Sequence, residues 1–361
     1  MLKSITLENF KSFGTRQTVP LEPISVLVGP NNSGKSNLLA LARFLSNAKI
    51  GGIERAVEQE GGQDFVLRRP ATGNGHLVLG WATEGGYYSV ELDPLERGLF
   101  EIKEEKLRDA ADKDAWTTPD PEQAAVHRTP FQHFRQEATQ RTSSFVSICA
   151  PLVEASLVQL SLDALRADAP VVQSPQLGSS GSGLAAVLGY WRGAMPDRTE
   201  MLEAFIRSCA PEVENVLVKP GDKPGYQRLW IRQDDGQEFD ARHVSDGLLC
   251  FVALGVHVIA AGPGSVILFE EPELSLHPPR IHDLVELIRK MAADRKCQFL
   301  IATHSRVLVD EFRDEPEAIL RFRRTKDGTC IERASDLPAL LDALRASTPG
   351  DLLQSNLFNV E

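Results

Sequence analysis

The chain has 361 residues, with 39 lysines and arginines against 50 aspartates and glutamates, a formal charge of −11. Hydrophobic residues at 42% and charged residues at 25% are ordinary globular proportions, which excludes a disordered, collagen-like or rod-like chain. The acidic balance argues against indiscriminate coating of nucleic acid and leaves room only for a local basic face.

In chain order, residues 3–7 alternate as a strand does, and the β-branched run 24–28 reads as a buried parallel strand. The loop GPNNSGKSN follows, and 38–45 has helical apolar spacing. Residues 76–81, 87–92 and 100–103 read as antiparallel strands about a Gly-rich turn. Residues 105–224 carry helical patches near 131–141, 154–168 and 199–209, interrupted by prolines 119, 121, 130, 151, 170, 175, 196 and 211. An interior proline costs a helix about 3 kcal/mol, so a compact helical insertion is expected here and a long rod is not. GSSGSG at 178–183 reads as a flexible break. From 226, a hairpin turns at Asp235-Gly236. A helix (247–260), strand (266–269), helix (280–292), strand (298–302) and helix (306–312) come next. Such alternation predicts an α/β fold with a helix-covered parallel sheet. The expected divisions are 1–104 and 225–335 as two parts of one head, 105–224 as the insertion and 336–361 as a helical tail.

Cysteines 149, 209, 250, 297 and 330 have no CxxC spacing, which fits a reducing compartment better than a disulfide framework or zinc site. The opening residues lack a secretory apolar run, and the most apolar stretch, 248–261, is too short for a bilayer and contains His257. A cytoplasmic protein with no membrane partner is expected.

Gly29 to Ser36 matches GxxxxGK[ST] between a strand and a helix. Its glycines permit a tight wrap in which backbone N–H groups of Asn31, Asn32, Ser33, Gly34, Lys35, Ser36 and Asn37 face the phosphates of ATP. Lys35 would lie along the β- and γ-phosphates, and the Ser36 hydroxyl would face Mg²⁺. The strand 266–269 ends in Glu270 and Glu271. A buried parallel strand delivers such residues to its C-terminal edge, where open α/β sheets bind ligands. Glu270 is the expected metal residue, and Glu271 the acceptor of a proton from the attacking water.

With these motifs the chain resembles ABC-type AAA ATPases of the RecF, SMC and OLD-like group. LENFKSF at 7–13 resembles the group's opening strand and turn. VSDGL at 244–248 resembles a degenerate signature motif, FEEPELSLHP at 269–278 the Walker B and D-loop run of the OLD-like branch, and IATHS at 301–305 the switch histidine. GSGLAAVL at 181–188 resembles a segment of that branch. The resemblance implies two heads closing about two ATP molecules. Ser245, Asp246 and Gly247 of one head would reach the γ-phosphate held by the other. Leu274 to His277 would lie at the seam, and His304 would sense the γ-phosphate. The expected fold is therefore an ABC-type head with a mixed sheet, an antiparallel β subdomain and a helical insertion. Glu270 stands where most phosphate-loop ATPases have aspartate. For the Q-loop, Gln59, Gln63 and Gln173 are candidates, each also fitting polar surface.

Among the remaining residues, His127 and His133 are six apart, off one helical face, and fit loop histidines better than metal ligands. Arg68-Arg69 fits a solvated strand end better than a nucleic-acid contact. Arg321, Arg323 and Arg324 alternate along what reads as an edge strand. Lys11 follows the first strand and could approach nucleotide phosphates. Residues 305–361 are too few for a complete Toprim nuclease domain, since a domain takes about 100–150 residues. The leading expectation is an ATPase whose ATP-dependent dimerisation or higher assembly is a switch or scaffold for a separate effector, a nuclease or toxin, in bacterial anti-phage defence. A RecF-like DNA-repair clamp, hence a nucleic-acid partner, is the alternative. A transporter subunit is disfavoured by the absent LSGGQ form, and an assembly that binds ATP without turnover is a further reading.

Overall fold

The computed structural model describes residues 1–96, 98–110, 114–117 and 143–354. Prolines 119, 121 and 130, the expected patch at 131–141, and His127 and His133 lie outside the described residues. The N-terminal part runs β1 (Leu2–Glu8), β2 (Gln17–Pro20), β3 (Ile24–Val28), α1 (Lys35–Gln59) and α2 (Gln63–Val66). β4 (Leu77–Thr83), β5 (Gly86–Pro94), β6 (Phe100–Asp109) and β7 (Asp114–Thr117) follow. Next come α3 (Ser143–Val153), β8 (Ser156–Val158), α4 (Leu162–Arg166), β9 (Ala169–Pro170), α5 (Leu184–Ala194) and α6 (Pro196–Cys209). β10 (Val213–Pro220), β11 (Tyr226–Gln233), β12 (Glu238–Asp240), α7 (Asp246–Ala260) and β13 (Val266–Glu270) lead to α8 (Pro278–Arg295) and β14 (Gln298–Ala302). The chain closes with α9 (Arg306–Asp310), β15 (Ile319–Thr325), β16 (Gly328–Arg333), α10 (Pro338–Ala346) and α11 (Pro349–Gln354).

The central six-stranded sheet has the order β16-β15-β3-β14-β13-β8. All its pairings are parallel except β15 with β16. Alternate residues of its strands enter two cores. Val26, Val28, Ile267, Phe269, Phe299 and Ile301 face one; Leu27, Leu268, Leu300 and Ala302 face the other. Burial on both faces is why these strands read as continuous apolar runs. Each such valine, leucine, isoleucine or phenylalanine stabilises the fold by roughly 1.5–3 kcal/mol. The first core is closed by α5, α6, α7 and α8. The second is closed by α1 and the antiparallel sheet β2-β1-β4-β5-β6-β7. A third sheet of four strands contains β10, β11 and β12, with β9 on β11.

The sequence expectations differ from the structure at several points. Residues 154–168 do not form one helical patch. Ser156–Val158 is the strand β8, because it completes the open edge of β13 through parallel pairing at Ile267, Leu268 and Phe269. GSSGSG is a turned, hydrogen-bonded loop: Gly178 N–H donates to the Ser182 carbonyl at 2.9 Å and Gly181 N–H to that of Gly178 at 2.8 Å. Gly181 has φ +86°, a conformation that side-chain-bearing residues rarely adopt, and a Cβ there would lie 2.2 Å from Leu165 Cδ2. β15 is interior, between β3 and β16, and the edge belongs to β16. Arg321 is buried, and Arg323 Nε donates to Glu332 Oε2 at 2.9 Å, so these side chains serve the sheet.

Candidate functional site

The parallel strands β3, β8, β13 and β14 all end at one edge, so the segments that follow them meet there. Between β3 and α1 the backbone takes positive φ at Asn32 (66°) and Gly34 (107°), a turn form that gathers N–H groups into an anion-binding concavity. Gly34 is irreplaceable by packing too: a Cβ there would lie 2.3 Å from Thr329 Oγ1 and 2.7 Å from Ser12 Oγ. Thr329 Oγ1 donates to the Ser33 carbonyl, and Asn37 Nδ2 to Ser12 Oγ, each at 2.8 Å. Ser12 and Thr329 therefore brace the loop from outside, a role for which no local pattern gives a signal.

Lys35 Nζ donates to the carbonyls of Gly29 at 2.8 Å and Pro30 at 3.1 Å, which leaves a third N–H for a phosphate oxygen. Burial pulls its pKa down to about 8, opposed by the charges of Glu271, Glu270 and Glu273. A bound triphosphate stabilises the ammonium and raises that pKa. Binding above pH 8 is therefore expected to take up a fraction of a proton, and affinity to fall as the pH rises through this range. Calorimetry in buffers of different ionisation enthalpy checks this: uptake near pH 8.5 and almost none near pH 6.5 are expected, and uptake independent of pH contradicts it.

β13 delivers Glu270 and Glu271 to the same edge. Glu271 has φ +48°, unusual for a side-chain-bearing residue, and its N–H donates to the Ala302 carbonyl at 2.8 Å. Its Oε1 lies 3.8 Å from His304 Nε2. Burial, with the neighbouring Lys35 charge, holds the His304 imidazole below its ordinary pKa, which favours the neutral ring at neutral pH. Asn31 to Asn37, Glu270, Glu271, Ala302 and His304 line one cavity of about 310 Å³. The sequence-expected Lys35, Ser36, Glu270, Glu271 and His304 are thus brought together.

A glutamine missing from the sequence expectations joins them. Gln159, just past β8, donates from its carboxamide to the Glu270 carboxylate. Its backbone N–H donates to Ser179 at 2.9 Å and that of Ser161 to Ser180 at 3.0 Å, so the GSSGSG loop holds this turn. None of the three glutamines named from sequence lies there. Gln59 and Gln173 are exposed, and Gln63 Nε2 donates to the Leu99 carbonyl at 2.6 Å. The Ser36 hydroxyl, the Glu270 carboxylate and, with its carboxamide turned over, Gln159 Oε1 form a set of hard oxygen donors that suits Mg²⁺.

Ser245 is the N-cap of α7, its Oγ accepting from Leu248 N–H at 3.4 Å. Asp246 pairs with Arg166 Nη2 at 2.5 Å. A Cβ on Gly247 would lie 2.4 Å from the Ser275 carbonyl oxygen, so the first turn of α7 packs on the segment that follows β13. These three residues are outside the lining of the phosphate-loop cavity in their own chain. Leu274, beside them, is 61% exposed.

Residues 24–310 match the AAA_21 family, described as "AAA domain, putative AbiEii toxin, Type IV TA system". The chain belongs to this family. As an AAA protein it is expected to bind nucleotide. Among solved structures it is similar to an SMC head bound to the C-terminal winged-helix domain of ScpA, with TM-score 0.59 and 12% identity over 92% of this chain and 97% of that one. It is also similar to an SMC head with an extended coiled coil bound to the C-terminal domain of ScpA, derived from Pyrococcus furiosus. That match has TM-score 0.57 and 11% identity over 95% of this chain and 99% of the other. At such identities the likeness is one of fold.

Other polar clusters of this AAA protein lie outside or beside the cavity. Lys11 Nζ pairs with Glu60 Oε2 at 2.6 Å. Arg68 donates to the carbonyls of Pro70 and Lys326, each at 3.1 Å. With Lys11, Arg69, Arg324 and Lys326 it surrounds a cavity of about 470 Å³ that reaches Asn32. His76, Glu91 and Asp93 bring metal-ligating atoms together, but the Lys103 ammonium, 2.8 Å from His76 Nε2 and from Glu91 Oε1, already supplies a cation there. The five cysteines are free thiols. Among the described residues no helix is long and apolar enough to cross a membrane.

Proposed function

We propose that this AAA protein binds and slowly hydrolyses ATP between two copies of itself, and that the resulting closure is a switch or scaffold for a separate effector. The observation that carries the reading is the convergence of Lys35, Ser36, Glu270, Glu271 and His304 on one cavity, with Ser245, Asp246 and Gly247 outside its lining. In this reading the phosphate-loop N–H groups and Lys35 hold the triphosphate, and Ser36, Glu270 and Gln159 hold the metal. Mg²⁺, when bound, neutralises charge developing on the β- and γ-phosphate oxygens. Glu271 accepts a proton from the water that attacks the γ-phosphorus, the bond to the bridging oxygen breaks, and ADP leaves with phosphate as the second product. His304 orients that water.

Ser245, Asp246 and Gly247, at the N-terminus of α7, supply N–H groups and the positive end of a helix dipole to the γ-phosphate held by the second copy. Arg166 offsets the charge of Asp246, which would otherwise repel the phosphate. Ser245→Arg is expected to abolish ATP-dependent dimerisation, measured by light scattering, and to leave nucleotide affinity within about threefold, because the substituted side chain lies outside the chain's own cavity. Dimerisation of the variant at wild-type nucleotide concentration contradicts the assignment.

The effector reading is supported by the family description, which names a toxin of a toxin–antitoxin system, and by SMC heads of this fold that carry a separate protein, ScpA. The first is compatible with a defence setting and the second with a separate protein partner, which in this reading is a nuclease or toxin. The second reading, a DNA clamp, is favoured by the five cationic side chains about the cavity beside Asn32. Two measurements separate them. Purification with neighbouring gene products, and mass with and without ATP, tests for the effector. DNA binding between about 50 and 200 mM salt tests for the clamp, whose affinity falls steeply over that range.

A further inference from the structure

Glu273 takes no part in the scheme above, yet it is the most heavily hydrogen-bonded carboxylate near the cavity. Its Oε1 accepts from Thr303 Oγ1 at 2.6 Å, from His304 N–H at 3.0 Å and from Ser305 N–H at 3.1 Å. Three donors converging on one oxygen leave it little freedom. Thr303 is fully buried, its N–H donating to the Leu27 carbonyl at 3.2 Å, so the far end of the link is anchored in the central sheet. Ser305 N–H also reaches Thr303 Oγ1 at 2.9 Å, which closes the group into a compact ring. Glu273 Oε2 is buried with no hydrogen-bond partner among the described residues.

The next two residues face outward: Leu274 is 61% exposed, and Ser275 has φ +67° and packs its carbonyl against Gly247 of the signature. Glu273 therefore joins the segment beside the signature to the loop that carries His304. A second tie between these segments is Glu271 N–H to the Ala302 carbonyl. Removing the carboxylate would leave two backbone N–H groups and a hydroxyl to find other partners, and His304 would lose its fixed place 3.8 Å from Glu271.

We propose that Glu273 is the positioning residue of the switch histidine. It holds the Thr303 hydroxyl and the backbone N–H groups of His304 and Ser305 to the D-loop, so that a second copy pressing on Leu274 and Ser275 sets the position of His304 in the first. The inference rests on the hydrolytic reading for its kinetic consequence, and on geometry alone for the link itself.

The test uses the full chain with Glu273→Ala, Glu273→Gln, His304→Ala and the double variant Glu273→Ala/His304→Ala. Glu273→Ala is expected to lower kcat by about ten- to a hundredfold, the effect of misplacing a reacting group by about 1 Å, with ATP affinity nearly unchanged. Glu273→Gln keeps an acceptor at Oε1 and is expected to restore kcat to within about threefold of wild type. In the His304→Ala background the Glu273→Ala loss should all but vanish, because both changes remove one unit. Losses that multiply in the double variant overturn the proposal. The readout independent of turnover is amide exchange over 300–308. Glu273→Ala should cost His304 and Ser305 more than about tenfold in protection, and Glu273→Gln should not. Unchanged protection in Glu273→Ala overturns the link outright. Should the wild type show no ATP turnover, the hydrolytic reading fails, and amide exchange alone decides the role of Glu273.

Discussion

Glu271→Gln is expected to lower steady-state ATP turnover by about 10²–10⁴-fold, the usual contribution of a positioned general base, without loss of nucleotide binding. The carboxamide keeps the size of the side chain and its place beside His304, but it cannot accept the proton that the attacking water must lose. The backbone argues for specialisation at this position. A glutamate with φ +48°, tied by its N–H to Ala302, is held in a conformation that costs of order 1 kcal/mol or more and is sustained by its surroundings. With hydrolysis blocked, the charge that bridges two copies persists, so the variant should accumulate as an ATP-dependent dimer. Phosphate release and light scattering on the same samples check both halves. Turnover equal to that of the wild type would remove Glu271 from the mechanism, and a variant that stays monomeric with saturating ATP and Mg²⁺ would remove the closure.

Lys35→Ala should weaken ATP binding by about a hundredfold or more, since the ammonium provides a charge-assisted hydrogen bond to phosphate in a poorly hydrated loop. Equilibrium binding of a fluorescent ATP analogue measures this, and affinity within a few-fold of wild type contradicts the site. The same variant has a stability signature of known sign. Lys35 titrates near pH 8 in the folded chain, against 10.5 without burial. Between those values the unfolded chain holds a proton that the folded chain has released. Wild-type stability should therefore gain from this residue as the pH rises from about 8 toward 10.5, and Lys35→Ala should lack that gain. Thermal unfolding of both proteins across this range supplies the comparison.

Much of the site was legible because its parts are local. Gly29 to Ser36 carries its turn geometry in consecutive residues, and Glu270 and Glu271 follow directly on four apolar residues of a buried strand. The alternation of strands and helices from 246 to 310 needed only hydrophobic spacing. Gln159 was not legible: it meets Glu270 across 111 positions, and only the pairing of β8 with β13 brings it there. The same pairing turned the apolar residues near 156–158 from an expected helix into a strand, because an unpaired edge of β13 offers backbone hydrogen bonds that helical spacing cannot match. The arginines of β15 were misplaced for the complementary reason. Their alternation is real, but β16 covers the edge they were assigned to.

What the sequence determined by itself is chemistry that short-range sterics and periodicity can encode: a phosphate loop, two carboxylates at a strand end, and strands apolar on both faces. The tertiary structure alone decided which distant groups complete it. Thr329 and Ser12, 317 positions apart, brace the loop, and Glu273 reaches Thr303 over 30 positions. Those contacts depend on strand order and register, and these are set by the summed burial of two cores rather than by any neighbouring residues.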